Sequence, residues 1–371
     1  MTSGDALHQS ADGAADSAAE GRPDAPGPVA ALRRVAFLLE RGRAESVKVK
    51  AFRNAAATLL PLEAEDIAGR VEAGTLTDLP GIGRSTAEVV AYAVRGERSP
   101  RLEKLEAEHQ APLARGGEQL RAALRGDLHS HSDWSDGGSP IEEMAFTAME
   151  LGHGYQVLTD HSPRLRVANG LSAERLARQA DVVARLNEHL TGQERDFRLL
   201  HGIEVDILDD GALDQTSEML ARLDVRVASV HSKLRMDAAP MTRRMVAAVS
   251  NPFTNVLGHC TGRLVEGSRG TRPPSEFDAR AVFEACAEHG TAVEINARPE
   301  RADPPDDLLA LALEIGCLFS IDSDAHAPGQ LDFLDHGCAR AAAAGVPRER
   351  IVNTWPREEL LAWAARGVQD A

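Results

Sequence analysis

Residues 127–137 of the chain read DLHSHSDWSDG. The first five residues of this stretch predict a short strand, and alternation along a strand points His129 and His131 to the same side. Two imidazoles on one face can hold a metal ion between them. The loop that follows adds the carboxylate of Asp136. This stretch therefore predicts a metal site at the carboxyl end of a strand.

The same arrangement recurs along the rest of the chain. From residue 127 onward, short apolar strands alternate with helices, which is typical of an α/β fold with a parallel sheet. We expect seven strands that end near His131, Asp160, Glu204, His231, His259, Asn296 and Asp324. Seven strand and helix repeats favour a barrel over an open sheet. The predicted fold is a distorted seven-stranded (β/α)7 barrel, preceded by a small all-α domain.

Nearly every predicted strand is followed by a side chain that can bind a metal. The carboxyl ends of parallel barrel strands meet at one mouth. A single histidine there is more often structural, but nine residues of ligand type together predict a metal centre. Imidazole and carboxylate ligands without thiolates suit Zn, Mn or Fe. The candidate ligands are His129, His131, Asp136, His161, Glu204, His231, His259, Asp324 and His326.

Seven motifs in this region resemble those of the PHP (polymerase and histidinol phosphatase) superfamily, from Asp127 to about Trp355. In order they are GDLHSHSDWSDG, LTDHS, GIEVDIL, SVHSKL, LGHCTGR, EINARPER and IDSDAH. The resemblance implies a metal-dependent phosphoesterase with three divalent ions. One ion would take His129, His131, Glu204 and Asp324, the candidate catalytic residues. A second would share Glu204 with His231 and His259, and a third would take Asp136, His161 and His326.

Other polar residues near the strand ends are candidates for supporting roles. Lys233, Arg263 and Arg298 follow ligand-bearing strands and are candidate phosphate-binding residues. Salt bridges at the rim are an equally weighted alternative for each of them. Asp160 and Glu294 are expected to orient a histidine or a basic side chain, as partners of metal ligands commonly do.

The N-terminal part has a different character. Residues 1–28 are small and polar, which predicts a disordered tail. Residues 29–108 show helical periodicity around the turn 79–83, Leu-Pro-Gly-Ile-Gly, which predicts a helix-hairpin-helix domain. Glycines there permit close backbone approach, and the next helix N-terminus suits a phosphate. A purely structural helical cap is the alternative. Residues 109–126 are expected to be a helical linker and 127–371 the barrel domain.

The segments VKVKAFRNAA, LPGIGRSTAEVV and RGERSPRLEKL resemble the N-terminal domain of the polymerase-beta-like family X DNA polymerases. The resemblance covers about eighty residues and implies DNA binding. Val89 and Ser85 replace two lysines of the family's lyase members, so lyase activity is not expected. The implied DNA-binding residues are Lys48, Phe52, Arg53, Gly81, Gly83 and Arg84.

The two resemblances together imply an enzyme that processes DNA ends, as a 3′ exonuclease or 3′-phosphatase in DNA repair. Fewer than twenty residues separate the helical domain from the barrel, which leaves no room for a polymerase palm, so polymerisation is not expected. A small-molecule phosphatase of the histidinol-phosphate type is the alternative. A noncatalytic DNA-binding protein is a third possibility, against which the full ligand set argues.

Composition sets outer bounds on these hypotheses. The net charge is −16, yet residues 31–126 hold 16 Lys and Arg against 13 Asp and Glu, a net charge of +3. The four cysteines form no CxxC pair, which fits a reducing compartment. No apolar run approaches the roughly 18 to 20 residues of a membrane span, and the N-terminus lacks a secretory signal. We therefore expect a cytoplasmic protein with a phosphate-ester substrate, DNA as a partner and no membrane contact.

Overall fold

A computed structural model of the protein describes residues 25–267 and 270–367. The predicted tail lies outside the described residues except for its last four positions. The first third of the described chain is helical. Its helices are α1 (Pro28–Arg41), α2 (Ser46–Leu59), α3 (Ala64–Ala73), α4 (Arg84–Val94), α5 (Pro100–Glu108) and α6 (Glu118–Ala123).

Helices α1 to α5 share one apolar core, and we call residues 28–108 the helical domain. Helix α1 begins at Pro28, whose fixed φ suits a first helical turn. Its residues Leu32, Val35 and Leu39 recur at helical spacing and are buried against α2 and α4. Phe52 of α2 is part of the same core. The amphipathic pattern seen in the sequence therefore builds this small domain.

The strands and helices of the remaining chain alternate. The strands are β1 (Gly126–Asp127), β2 (Tyr155–Leu158), β3 (Arg198–Asp206), β4 (Val225–Ser229), β5 (Val256–Leu257), β6 (Ala292–Asn296) and β7 (Phe319–Asp322). The helices are α7 (Ile141–Glu150), α8 (Ala173–Gly192), α9 (Ser217–Leu220), α10 (Ala238–Val249), α11 (Ala279–His289), α12 (Asp306–Ile315), α13 (Leu334–Ala343) and α14 (Arg357–Ala364).

The strands form a single parallel sheet in sequence order from β1 to β7. A parallel bridge between Ser130 and Ala325 brings the first strand beside the last. The side chain of Asp322 accepts the Leu128 N–H across the same junction at 2.9 Å. We call this junction the seam. The predicted seven-stranded (β/α)7 barrel is confirmed, and it is nearly closed.

Most strands end earlier than the sequence suggests. β1 ends at Asp127 and β7 at Asp322, two residues before the first ligand that each one leads to. Only Glu204 lies inside a strand, because β3 continues to Asp206. The other ligands lie just beyond the ladder, where the backbone can turn and direct side chains toward the barrel axis. The strand ends therefore form the mouth of the barrel.

The opposite end of the barrel is filled. Leu360 and Trp363 of α14 pack with Val225 and Val256 in one apolar cluster. Arg226 donates to the Ala364 carbonyl at 2.7 Å and fixes this helix in place. Because α14 covers the amino ends of the strands, the open end is the one that carries the polar residues. No helix in the two described ranges is long and apolar enough to span a membrane.

The segment 109–126 differs from the predicted helical linker, since only residues 118–123 are helical. Pro112, Gly116 and Gly117 interrupt a continuous helix. The backbone of this segment packs on the barrel instead. A Cβ built on Gly117 would lie 2.4 Å from the Ala339 backbone nitrogen, and Leu113 N–H donates to Asp335 at 2.8 Å. Close contact with α13 therefore replaces helical structure here.

Candidate metal centre

Glu204 stands at the centre of the mouth. Its Oε2 lies 3.2 Å from His129 Nε2 and 2.9 Å from His161 Nδ1. Its Oε1 lies 3.2 Å from His231 Nε2 and 2.8 Å from His259 Nε2. Strand β3 buries this carboxylate, which is 1% exposed. One carboxylate thus faces imidazoles from four different loops.

Asp324 completes the buried side of the site. Its Oδ1 lies 3.4 Å from His131 Nε2 and 3.9 Å from His129 Nε2. Its backbone has a φ of +50°, which is uncommon for an aspartate and turns the chain sharply after β7. Five residues are at most 2% exposed in their side chains, and we call them the inner ligands. They are His129, His131, Glu204, His259 and Asp324.

Two further ligands lie closer to solvent. Asp136 Oδ1 is 3.4 Å from His161 Nε2 and 3.3 Å from His326 Nε2. The side chains of Asp136 and His326 are 35% and 21% exposed, and we call this pair the outer ligands. The His131 ring lies between the other inner ligands and the rings of His161 and His326. Its centroid is 4.4 Å from that of His161 and 4.2 Å from that of His326. All nine predicted ligands therefore meet in one place.

The ligand atoms fit metal ions because several have nothing else to bind. His129 Nε2, His131 Nε2 and Glu204 Oε2 are buried without a hydrogen-bond partner. A buried polar atom left unpaired costs free energy, and an ion would satisfy all three. Three groups have ligand atoms within 4.8 Å of one another: His131, Asp136, His161 and His326; His129, His131 and Asp324; and His161, Glu204 and His231. The arrangement is compatible with a multi-metal site.

The two histidines of the first strand end differ in charge preference. Burial alone would lower the pKa of His129, but the carboxylates of Glu204, Glu294 and Asp324 outweigh it and raise that pKa well above its usual value. Burial lowers the pKa of His131 well below its usual value, and the nearby imidazole of His326 lowers it further. In the protein without ions, His129 therefore favours its protonated form and His131 its neutral form.

The carboxylates and His161 show the complementary effect. Burial would raise the pKa of Glu204, yet the surrounding imidazoles hold it well below its usual range. Burial would likewise raise the pKa of Asp324, but Arg301 and His129 hold it low. For His161, burial is opposed by Glu204 and Asp136, which raise its pKa to about 10. Ions that bind here must displace protons from the imidazoles that carry them.

Two carboxylates orient the imidazoles from behind. Glu294 lies 2.6 Å from His129 Nδ1 and accepts the His259 backbone N–H at 2.5 Å. Asp206 lies 2.5 Å from His231 Nδ1. Such partners leave the other ring nitrogen to face a metal. The role of Glu294 follows the expectation from the sequence. That of Asp206 does not, although its position two residues after Glu204 on the same strand face was a usable signal.

Asp160 was expected to orient a histidine or a basic side chain, and the structure gives it another role. It accepts hydrogen bonds from the hydroxyls of Ser132 and Ser135 at 2.6 and 2.5 Å. It also accepts from the amide of Gln179 at 2.6 Å. The buried Asp160 therefore fixes the loop that leads to Asp136. Hydroxyls in the sequence SDWS were the overlooked partners.

Arg298 and Arg301 lie at the metal centre itself. Arg298 Nη1 is 2.9 Å from His326 Nδ1 and donates to the Asp324 carbonyl at 3.1 Å. Arg301 Nε donates to Asp324 Oδ2 at 3.0 Å. Arg298 was a predicted phosphate-binding residue, whereas Arg301 was missed. The sequence places it three residues after Arg298 in a loop, where no periodicity indicates which way it points.

The other two predicted phosphate-binding residues have local partners. The Arg263 guanidinium donates to the carbonyls of Arg301 and Ala302, the first at 3.1 Å. Lys233 is 64% exposed and pairs with Asp209. The geometry thus assigns Arg263 to shaping the loop that presents Arg301. Lys233 remains at the rim with an ammonium group that a substrate could reach.

The predicted DNA-binding residues divide between the inside and the outside of the helical domain. Phe52 is 4% exposed and packs in the core. The guanidinium of Arg53 is largely buried, with ion pairs to Glu40 at 2.6 Å and Glu143 at 3.0 Å. Helical periodicity turns both side chains toward the protein. Phe52 and Arg53 are therefore not placed to contact DNA, which corrects the expectation from the resemblance.

The remaining members of that set are accessible. Lys48 is 65% exposed on the first turn of α2. Gly81 has a φ of +76°, which a side chain would strain, and it lies against α2 beside Asn54. Gly83 N–H donates to Thr86 Oγ1 at 2.9 Å. The turn at 79–83 leads directly into α4, which begins at Arg84.

Part of the chain is similar to proteins of known family. Residues 127–298 match the model of the PHP domain. The chain is 37% identical over 243 residues to the DNA polymerase/3′-5′ exonuclease PolX of Bacillus subtilis, which covers 66% of this chain and 41% of PolX. It is 26% identical to the probable phosphatase YcdX of Escherichia coli K12, covering 65% of this chain and 95% of YcdX. The chain thus spans about two-fifths of the length of PolX.

Among solved structures, a crystal structure of histidinol phosphate phosphatase from Lactococcus lactis, in complex with zinc, L-histidinol and phosphate, covers 60% of this chain and 94% of its own. Its identity is 18% and its TM-score 0.43. The match to the PHP domain lies in the part of the chain that carries most of the motifs gathered at the mouth. Residues 127–298 of this chain are therefore similar to the PHP domain.

Proposed function

We propose that this chain hydrolyses phosphate esters at DNA ends, as a 3′ exonuclease or 3′-phosphatase of DNA repair. The observation that carries the proposal is the convergence of nine candidate ligands, with Glu204 at their centre and with buried ligand atoms that lack any other partner. The helical domain beside the mouth adds the second half of the argument. Nucleotide polymerisation is no part of the proposal.

The chemistry follows from the ligand set. Divalent ions held there, three in our proposal and Zn, Mn or Fe by ligand type, would make hydroxide available and neutralise phosphoryl charge. The protein's own groups prepare that reaction. Glu294 and Asp206 hold His129 and His231 in fixed orientations. Arg298 at the mouth offers positive charge to a phosphate anion.

The position of the helical domain supports DNA as the substrate. Arg43, in the turn between α1 and α2, pairs with Glu266 at 2.6 Å and with Glu300 at 3.2 Å. Glu300 belongs to the same loop as Arg298, so the start of α2 lies beside the rim of the mouth. Lys48 is in the first turn of that helix. A strand whose backbone contacts this surface would have its end near the metal centre.

A small-molecule phosphatase is the second candidate. It is favoured by the turning of Phe52 and Arg53 into the protein, which removes two of the six expected DNA contacts. The chain also covers 95% of the probable phosphatase YcdX but only 41% of PolX. In this alternative the helical domain only completes the structure.

The catalytic proposal is tested by replacing His129 and His131 with alanine. Each substitution removes a ring nitrogen that faces Glu204 or Asp324, so metal-stimulated hydrolysis of an aryl phosphate should be abolished. His189, on the surface of α8, provides the matched His→Ala control and should leave turnover unchanged. Equal turnover in the double variant and the native chain would refute the assignment.

The substrate is tested with three compounds under metal-defined conditions: histidinol phosphate, a 3′-phosphorylated oligonucleotide and a plain 3′-hydroxyl oligonucleotide. We expect the nucleic acids to be turned over with higher kcat/KM. Preference for histidinol phosphate would select the second candidate instead.

DNA binding is tested separately by the salt dependence of affinity in the full chain. Phosphate contacts make affinity fall as salt rises, and each lost contact reduces the logarithmic slope by about one. We expect this reduction for Lys48→Gln. Arg280→Gln, at an exposed site on α11, should leave the slope unchanged. Absence of binding by the native chain at low salt would remove DNA as a partner.

A further inference from the structure

We propose that the helical domain is a structural part of the metal centre, because it holds the two loops that carry the outer ligands Asp136 and His326. This inference goes beyond the substrate question. It rests on the proposed metal binding but not on DNA binding. Its basis is a cluster of three charged residues, Glu40, Arg53 and Glu143, which we call the clamp.

The clamp joins the helical domain to the barrel through buried charge. Arg53 Nε and Nη2 donate to the two oxygens of Glu40 at 2.9 and 2.6 Å, a bidentate pair between α1 and α2. Its Nη1 donates to Glu143 of α7 at 3.0 Å. The side chains of Arg53, Glu40 and Glu143 are 10%, 3% and 11% exposed, respectively. Charges this buried depend on one another, since removal of one leaves the others unpaired.

One arm of the clamp leads to His326. Glu40 Oε2 also accepts the backbone N–H of Gly329 at 2.8 Å. The adjacent Gln330 accepts the backbone N–H of His326 at 2.8 Å. At Gly329 the two domains are in backbone contact, because a Cβ there would lie 2.2 Å from the Phe37 carbonyl oxygen. The loop that carries His326 is therefore set directly on α1.

The other arm leads to Asp136. Glu143 lies in the first turn of α7, the helix that the Asp136 loop enters. Its carboxylate forms an ion pair with Arg33 at 3.0 Å in addition to the one with Arg53, so two arginines of the helical domain hold this turn. The two loops are also tied to each other, since Gly138 N–H donates to the His326 carbonyl at 2.6 Å. A shift of the helical domain would thus move both outer ligands together.

The inner ligands are held differently, which makes the proposed effect selective. Glu294 of β6 positions His129 and His259, and Arg301 holds Asp324. These supports belong to the barrel itself. Loss of the clamp should therefore weaken the ion at the outer ligands and spare the inner ones.

The test uses the full chain and Mn²⁺, with bound and free ion measured at equilibrium by electron paramagnetic resonance. Asp136→Asn serves as the reference that identifies which class of sites uses the outer ligands. We expect Glu40→Gln to weaken that class about tenfold, the lower end of the effect of losing a supporting partner, with the other classes unchanged. The control Glu106→Gln removes a carboxylate that pairs with Arg34 and Arg98 inside the helical domain and should change no class.

The outcomes separate this inference from the proposed function. A native chain that binds no Mn²⁺ overturns both. If the native chain binds Mn²⁺ normally and folded Glu40→Gln keeps the same affinity at the outer class of sites, the clamp alone is overturned. Equal weakening of that class in Glu40→Gln and Glu106→Gln would overturn it as well. If Glu40→Gln does not fold, Arg33→Gln replaces it, because Arg33 is 37% exposed and its loss is mild. In Arg33→Gln, Mn²⁺ binding by the outer class of sites should weaken about threefold, the scale of a surface ion pair. Unchanged binding by that class would overturn the clamp.

Discussion

The inner and outer ligands of the candidate metal centre are built on different supports. The inner ligands are at most 2% exposed and are held by groups of the same barrel, such as Glu294. The outer ligands, Asp136 and His326, are 35% and 21% exposed and lie on loops that contact the helical domain. The barrel thus prepares one half of the site by itself. The other half is held by Asp160 and Arg298 of the barrel and, in our proposal, also by the helical domain.

This difference indicates where the site can vary without losing its chemistry. Ligands supported by core strands have fixed geometry, because a packed interior resists displacement. Ligands on loops can shift with whatever the loop contacts. Four experiments test the contrast between the two halves.

The largest effect is expected for Glu204→Gln. Glutamine has the same shape but cannot neutralise the surrounding imidazoles or bridge two ions. We expect loss of at least two bound ions per chain and a fall in kcat beyond the roughly 100-fold cost of losing a supporting partner. Metal content by elemental analysis and turnover of an aryl phosphate measure both. Glu284→Gln, exposed on α11, is the control, and retention of all ions in Glu204→Gln would contradict its central position.

The next effect is expected for Asp136→Asn, which removes the most exposed carboxylate of the centre. One ion per chain should be lost while the remaining ions keep their affinities. Equilibrium dialysis against Mn²⁺ gives the number directly. Asp133→Asn, in the same loop, tests whether any loss of charge there suffices. Simultaneous loss of all ions in Asp136→Asn would show that the two halves are not separable.

A smaller effect is expected for Glu294→Gln. The amide can still accept the His259 N–H, but it no longer favours the ring orientation of His129 through charge. The affinity of the inner ions should fall roughly 10- to 100-fold, with the outer ion unchanged. Isothermal titration with Zn²⁺ measures it, and Glu288→Gln on the surface of α11 is the control. A selective loss of the outer ion would reverse the assignment of supports.

The last effect, the smallest when taken per pH unit, is a dependence of metal binding on pH. Glu204 and Asp136 overcome burial and raise the pKa of His161 to about 10, so this imidazole carries a proton at neutral pH when no ion is bound. Binding must release that proton, and affinity should rise with pH below 10 by about tenfold per unit for each proton released. Titration in buffers of different ionisation enthalpy counts the protons. Affinity independent of pH between 6 and 9 would contradict the raised pKa.

The barrel and its ligands could be predicted from the sequence because topology leaves little choice. Once strands alternate with helices, their carboxyl ends must meet, and any ligand at those ends is brought to one mouth. Glu204 and His259 are 55 residues apart, yet their contact at 2.8 Å follows from this rule. Similar reasoning sets aside His153 and His201, which are buried elsewhere in the barrel and bonded to glutamines.

The remaining features depend on tertiary contacts that no local pattern reports. Arg301 reaches Asp324 from an irregular loop, where side-chain direction has no periodicity. Phe52 and Arg53 match a DNA-binding motif, but the packing of α2 turns them inward. The motif supplied the residue types, while their direction was decided by the apolar face of a helix and by a carboxylate, Glu143, about ninety positions away.

The seam has a consequence for the order of events during synthesis. His129 and His131 lie on one side of it and Asp324 on the other, so ligands of one ion come from the first and last strands of the barrel. On the ribosome, the N-terminal ligands emerge long before their partner. Domains are made from the N-terminus at about 5 to 20 residues per second, so His129 waits roughly ten seconds or more for Asp324. The candidate ion site can therefore be completed only after Asp324 has emerged.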